Sequence, residues 1–370
     1  MERGRRALVS LCAAGVMAAG LLPVAAQAAP QPSDQTAQVV VWAMNTGNNS
    51  KTNCAKIGGC NQDLFSKRMQ SAPDCPDVML AQEIRSIAQA NSLKRELDQI
   101  GGACGTYRRY FYDANPSSST DTKIGKVAVA WRYDRFELAK TAGGAFDALN
   151  FRERWNELNN EDREICDRFT TNGPKDQQGN HTPGTPSRYV SAVKLIDKKH
   201  ADKAIVAASI HWDGAMSQYC FHENSREFAR AIEGRWPGVP VAMGGDHNTL
   251  AWTSTDWVER RREAGARMWH RYLTDNGYQD VIRSTYSNAA DVNGDGNIDM
   301  CEQYTSGIHT DHSKAVSNRC EHEKHSRIDY LWGKYFSSIV YARTDKAHYG
   351  RHQSGNYYAD HRPVTTRLAY

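Results

Sequence analysis

A chain of 370 residues with 40% hydrophobic and 24% charged residues is too apolar and too sparsely charged for an intrinsically disordered protein. A formal net charge of +4 neither demands nor forbids a polyanionic partner, and beyond residue 28 no apolar run is long enough to span a membrane. The length suffices for one large domain or two small ones.

Residues 1–28 have the layout of a secretory signal. Arg3, Arg5 and Arg6 precede an apolar run from Ala7 to Val24, and Ala26-Gln27-Ala28 is a cleavage-type tripeptide. The expectation is a secreted, extracellular protein starting near Ala29. Loss of the three arginines and Glu2 lowers its charge from +4 to +2. Of nine cysteines, Cys12 leaves with the signal, and an even set remains for disulfides. The expected pairing is sequential: Cys54–Cys60, Cys75–Cys104, Cys166–Cys220 and Cys301–Cys320.

Along the chain, residues 38–44 read as a buried strand that ends at Asn45. A helical stretch near 64–70 precedes a strand at 77–83 with Glu83 at its carboxyl end. Residues 84–100 have helical spacing and stop at Gly101-Gly102. Strands follow at 106–112, where Arg108 and Arg109 are candidates to grip a substrate backbone, and at 126–131. The polar stretch 146–188 reads as a surface excursion, helical at 153–168. Strands return at 189–196 and 204–210, the latter ending at His211. A helix fits 225–235. The apolar run 239–243 then stops at Gly244-Gly245, followed by Asp246 and Asn248, which an extended backbone turns to one side. A long helix fits 257–276, a second excursion covers 284–325, and strands return at 326–332 and after Asp360-His361. Strands alternating with helices give an α/β class. A single domain over 29–370 is expected.

Polar residues end several apolar strands: Asn45, Glu83, His211, Asp246 with Asn248, Asp329, and Asp360 with His361. In layered α/β folds such ends converge on a ligand-binding rim. These pieces, in this order, resemble the endonuclease/exonuclease/phosphatase superfamily, which includes deoxyribonuclease I and bacterial sphingomyelinases. The matching stretches are Trp42-Ala43-Met44-Asn45, Leu80-Ala81-Gln82-Glu83, 129–136, Ser209-Ile210-His211, Gly245-Asp246-His247-Asn248, Arg327-Ile328-Asp329-Tyr330 and 359–364. Ile210, His247 and Ala359 depart from the family pattern.

The resemblance implies a four-layer sandwich of two packed mixed β-sheets flanked by helices. It implies a phosphodiester hydrolase that uses Mg²⁺ or Mn²⁺. Asn45, Glu83 and Asp360 are then metal ligands, with Glu83 the principal one. His361 is a general base held by Asp329, Asp246 orients the nucleophile, Asn248 binds phosphate, and His211 donates to the phosphate or leaving oxygen. The expected substrate is DNA first, a phospholipid or small phosphodiester second. No stable protein partner is implied, and a monomer is expected.

Residues 291–302 match a twelve-residue calcium loop. Asp291, Asn293, Asp295 and Asp299 stand at liganding positions, Asn297 binds through its carbonyl, Gly296 makes the turn, and Glu302 closes the loop. The expected Ca²⁺ is structural. His309, His312, His322 and His325 read as a solvated loop rather than a zinc site.

Overall fold

In a computed structural model of the chain, the described residues are 36–46, 75–84, 91, 104–111, 126–152, 155–158, 164–167, 172–175, 181–183, 189–212, 218–249, 267–286, 327–344, 361 and 363–370. They belong to one compact unit that spans Thr36–Tyr370.

Two mixed sheets carry the fold. Sheet one has six strands in the order β16-β17-β1-β2-β4-β3. These are β1 (Gln38–Asn45), β2 (Val78–Ile84), β3 (Tyr107–Phe111), β4 (Lys126–Arg132), β16 (Ser338–Thr344) and β17 (Val364–Ala369). Sheet two has seven strands. They are β5 (Phe136–Leu138), β6 (Ala148–Arg152), β11 (Tyr189–Asp197), β12 (Ala204–His211), β13 (Val241–Asp246), β14 (Gln279–Asp280) and β15 (Asp329–Lys334). Their order is β14-β15-β13-β12-β11-β5, with β6 also paired to β11. The parallel pairs β1–β2 and β12–β13 bring four carboxyl ends to the same rim of the two sheets.

Burial of both faces explains the continuous apolar runs. On β1, Val39, Val41 and Ala43 enter the core between the sheets, while Val40, Trp42 and Met44 pack on the outer face. The inter-sheet core also takes Leu80, Val129, Val193, Leu195, Ile205, Leu331, Val364 and Leu368. The outer face of sheet two is covered by α1 (Gln218–Arg235) and α2 (Met268–Asp275), through Phe228, Ile232, Trp269 and Leu273. A short α3 (Val281–Tyr286) places Val281 and Ile282 in the inter-sheet core.

The helix expected over 153–168 is not formed. That segment holds β7 (Trp155–Leu158) and β8 (Glu164–Asp167), an antiparallel pair, followed by the pair β9 (Asn172–Lys175) and β10 (His181–Pro183). Cross-strand pairing overrides the mild helix preference of its Glu and Arg residues. The excursion also starts later than expected. Ala148–Arg152 pairs with β11, and Leu149 and Phe151 pack under α1. Of the expected 257–276 helix, α2 is the part within the described residues. β16, which the sequence analysis passed over, forms the edge of sheet one.

The Cys75–Cys104 disulfide is formed as expected, and Cys220 is also disulfide-bonded. Cys54, Cys60, Cys301 and Cys320 lie outside the described residues. So do the calcium loop with Asp291, Asn293, Asp295, Asn297, Asp299 and Glu302, the four later histidines, and Asp360.

Candidate active site

The rim where the sheets meet gathers seven of the expected residues, six at or beside strand ends and Asn248 two residues past Asp246. Asn45 closes β1 and Glu83 lies near the end of β2. His211 closes β12 and Asp246 closes β13, and the register pairs these two directly. Asp329 opens β15 directly opposite Asp246 on the other side. His361 precedes β17.

Two of the site's backbones are held in left-handed conformations, Glu83 at φ 59° and Asn248 at φ 52°. Glu83 falls in a register shift between β2 and β4, between Ala81 and Ile84. Such a bulge re-aims a side chain, and non-glycine strain of this sort persists where the surroundings enforce it. The glycines before Asp246 have the opposite task. A Cβ on Gly244 would stand 2.8 Å from the Tyr330 carbonyl oxygen, so only glycine lets β13 and β15 close here.

Asp246 is the hub. Its Oδ2 accepts from Asn45 Nδ2 at 2.9 Å and lies 3.6 Å from His211 Nε2 and 3.9 Å from His361 Nε2. Its Oδ1 accepts from the Asn248 backbone N–H at 2.6 Å. Asn45 Nδ2 also reaches Glu83 Oε1 at 3.3 Å. The Asn248 amide donates to the Trp212 carbonyl at 2.8 Å. His361 Nδ1 lies 2.7 Å from Asp329 Oδ2. Burial, then the adjacent Asp329 carboxylate, pushes Asp246 up to about 7, against the pull of His361 and the hydrogen bonds from Asn248 and Asn45.

Ligand-capable atoms of Asp246, Asp329 and His361 all lie within 4.8 Å of one another. Buried oxygen donors of this kind suit a hard divalent cation, and two carboxylates face to face favour a positive charge between them. The residues therefore fit a divalent metal, with an emphasis shifted from the expected set. The cluster is built from residues to which the sequence assigned catalytic roles. Asn45 turns an N–H donor, not its oxygen, toward both carboxylates, so ligation by Asn45 needs a half-turn of that amide.

Arg108 and Arg109 do not join the site. On edge strand β3 they pair with Trp131 and Ala130, which face Val78 and Met79 at the far end of β2. That is about 15 Å along the strand from Glu83. Arg109 is held by Asn91 Oδ1 at 2.6 Å, and Arg108 lies over the Tyr133 ring. Strand composition alone cannot tell the two ends of a strand apart.

Behind the rim lies a buried polar group that sequence reasoning missed. Arg327 makes two bonds to Asp280, at 2.9 and 2.6 Å, and His270 Nε2 is 3.4 Å from the same carboxylate. Burial pushes Asp280 up, but the Arg327 charge and the bonds from His270 and Arg327 hold it well below the usual carboxylate range. His247 turns away from Asp246 into the outer core, stacked on Trp269 with ring centroids 4.8 Å apart. Its Nδ1 donates to the Gly245 carbonyl at 3.1 Å, and its backbone N–H to the Ile328 carbonyl at 2.8 Å. Burial lowers its ring to about 4, so it is neutral at pH 7.

The sequence matches no family profile and no curated protein. Solved structures match along nearly the whole chain. An endonuclease/exonuclease/phosphatase family protein from Bacteroides thetaiotaomicron aligns with 91% of this chain and 99% of its own, at TM-score 0.57 and 14% identity. A mannosyl-6-phosphatase of the same organism aligns with 90% of this chain and 100% of its own, at TM-score 0.56 and 14% identity. The human Nocturnin catalytic domain, solved with a bound sulfate, aligns with 90% of this chain and 94% of its own, at TM-score 0.51 and 13% identity. The chain has the two-sheet deoxyribonuclease I-like fold of these proteins.

Proposed function

We propose that this chain, on the fold it shares with those proteins, is a secreted, divalent-metal-dependent phosphodiester hydrolase with DNA as its first-choice substrate. The observation that carries the reading is the buried meeting of Asp246, Asp329 and His361 at the rim between the sheets, with His211 and, through Asn45, Glu83 beside it: carboxylates that can hold a cation next to an imidazole that can take a proton. The Cys75–Cys104 disulfide fits an exported protein.

The His361–Asp329 contact fixes one imidazole tautomer and raises the basicity of the other nitrogen, which takes the proton of the attacking water. That bond engages His361 and Asp329 with each other, which favours base over ligand for His361. Asp246 orients the water from between the two imidazoles. Asn248 and His211 donate to the phosphate oxygens, and His211 to the leaving oxygen. Glu83 and Asp246, with Asp360, offer the oxygen ligands for Mg²⁺ or Mn²⁺. A divalent cation held by these carboxylates would supply positive charge against a phosphate oxygen.

The mannosyl-6-phosphatase of the same fold supports a second reading, hydrolysis of a small phosphate ester. A substrate panel separates the two: plasmid DNA, RNA, sphingomyelin, phosphatidylcholine, glycerophosphocholine and mannose 6-phosphate. Cleavage of plasmid DNA that EDTA abolishes and Mg²⁺ or Mn²⁺ restores is the expected result. Full activity in EDTA overturns the metal-dependent reading, and cleavage of a small ester alone overturns the choice of DNA.

A further inference from the structure

We infer that Gln82 is a positioning residue that couples the two halves of the site, an inference that rests on the metal-dependent reading above. One half, Asn45 and Glu83, hangs from sheet one. The other, His211, Asp246 and Asp329, hangs from sheet two. Gln82 is wholly buried where the sheets meet. Its Nε2 donates to the Leu80 carbonyl at 2.8 Å and crosses to Ser209 Oγ on β12 at 2.9 Å. Ser209 Oγ donates back to the Ala81 carbonyl at 3.1 Å. Leu80's carbonyl can only accept, which fixes the amide's orientation. The two cross-sheet bonds close a loop directly beneath the rim.

The backbone around Gln82 and the space beside its amide place it against the frames of the acidic residues. The Gln82 main-chain carbonyl, not its side chain, accepts from the Thr46 backbone N–H at 3.2 Å and from Thr46 Oγ1 at 2.9 Å, which ties the backbone that carries the amide to the chain just past Asn45. Glu83 follows Gln82 directly, in its left-handed bulge. Across the seam, a Cβ on Gly245 would stand 2.7 Å from Gln82 Nε2 and 2.0 Å from the Ile210 carbonyl oxygen, so glycine before Asp246 makes room for the amide. The side chain thus bridges the strand that carries Glu83 to Ser209, two residues before His211, and to the glycine before Asp246. Among the described residues its Oε1 has no hydrogen-bond partner. A leucine would fill the space without that desolvation penalty, so the amide is explained by geometry rather than by stability.

The test uses the full chain with Gln82→Leu, Ser209→Ala and the double variant. Mn²⁺ affinity is measured by equilibrium dialysis without substrate, and kcat and KM with bis(p-nitrophenyl) phosphate. Each single variant is expected to weaken Mn²⁺ binding and lower kcat by about tenfold or more, with KM within about twofold. The double variant is expected to be no worse than the poorer single one, since both changes cut the same bond. Single variants that melt earlier yet bind Mn²⁺ and turn over like the parent make Gln82 a strut for stability alone and overturn the inference. A parent chain that binds Mn²⁺ without hydrolysing any ester ends the proposed reaction while the binding comparison still decides this point. A parent that binds no Mn²⁺ removes both.

Discussion

At the scale of single residues, the chemistry rests on a few buried groups whose charges depend on one another. Asp246 and Asp329 face each other across two strands, and His361 spans them. Replacing His361 with Ala removes the proposed base, and Asp246→Ala removes the hub. Either change is expected to lower kcat by about a thousandfold or more, with the circular-dichroism spectrum unchanged. His247 gives a separate test of pH. Its folded-state value of about 4 lies below the ordinary 6.5, so the folded chain favours the neutral ring. The stability it contributes is present in full above 6.5 and is lost as pH falls through 4. The shift corresponds to about 3 kcal/mol. A His247→Phe chain should lose less melting temperature between pH 6.5 and pH 4 than the parent, and identical slopes would remove His247 as the cause.

At the scale of elements, the strand ends needed by the site were legible because strand and turn chemistry are local. Asp246 and Asn248 announce themselves by their spacing after two glycines. The order of strand-end acids and imidazoles gave the rim. What was not legible is whatever depends on a partner far along the chain. Arg327 looks like one more charge until Asp280, 47 residues away, is seen against it. The β7–β8 and β9–β10 hairpins were hidden because their short, polar strands carry no apolar alternation. The Arg327–Asp280 pair latches the start of β15 to β14 and α3. Asp280→Ala removes both carboxylate bonds from a buried guanidinium and is expected to cost about 4 kcal/mol in urea unfolding. Asp280→Leu combined with Arg327→Met should recover most of that loss, because it removes both charges.

At the scale of the whole molecule, the two-sheet architecture was readable from the chain-long order of motifs, while the strand pair within 153–168 was not. The excursion at 284–325 adds a proposed calcium loop to this frame. Glu302→Ala is expected to lower the melting temperature in millimolar Ca²⁺ and to leave kcat nearly unchanged; equal losses of both would tie the loop to the chemistry. The position of β17 has a further consequence. It lies between β16 and β1, and His361 stands just before it. A chain cut ahead of residue 361 therefore leaves sheet one split between β16 and β1, keeps every strand of sheet two, and lacks the proposed base. Slotting one late strand between two earlier ones thus both seals that sheet and delivers the imidazole to Asp329.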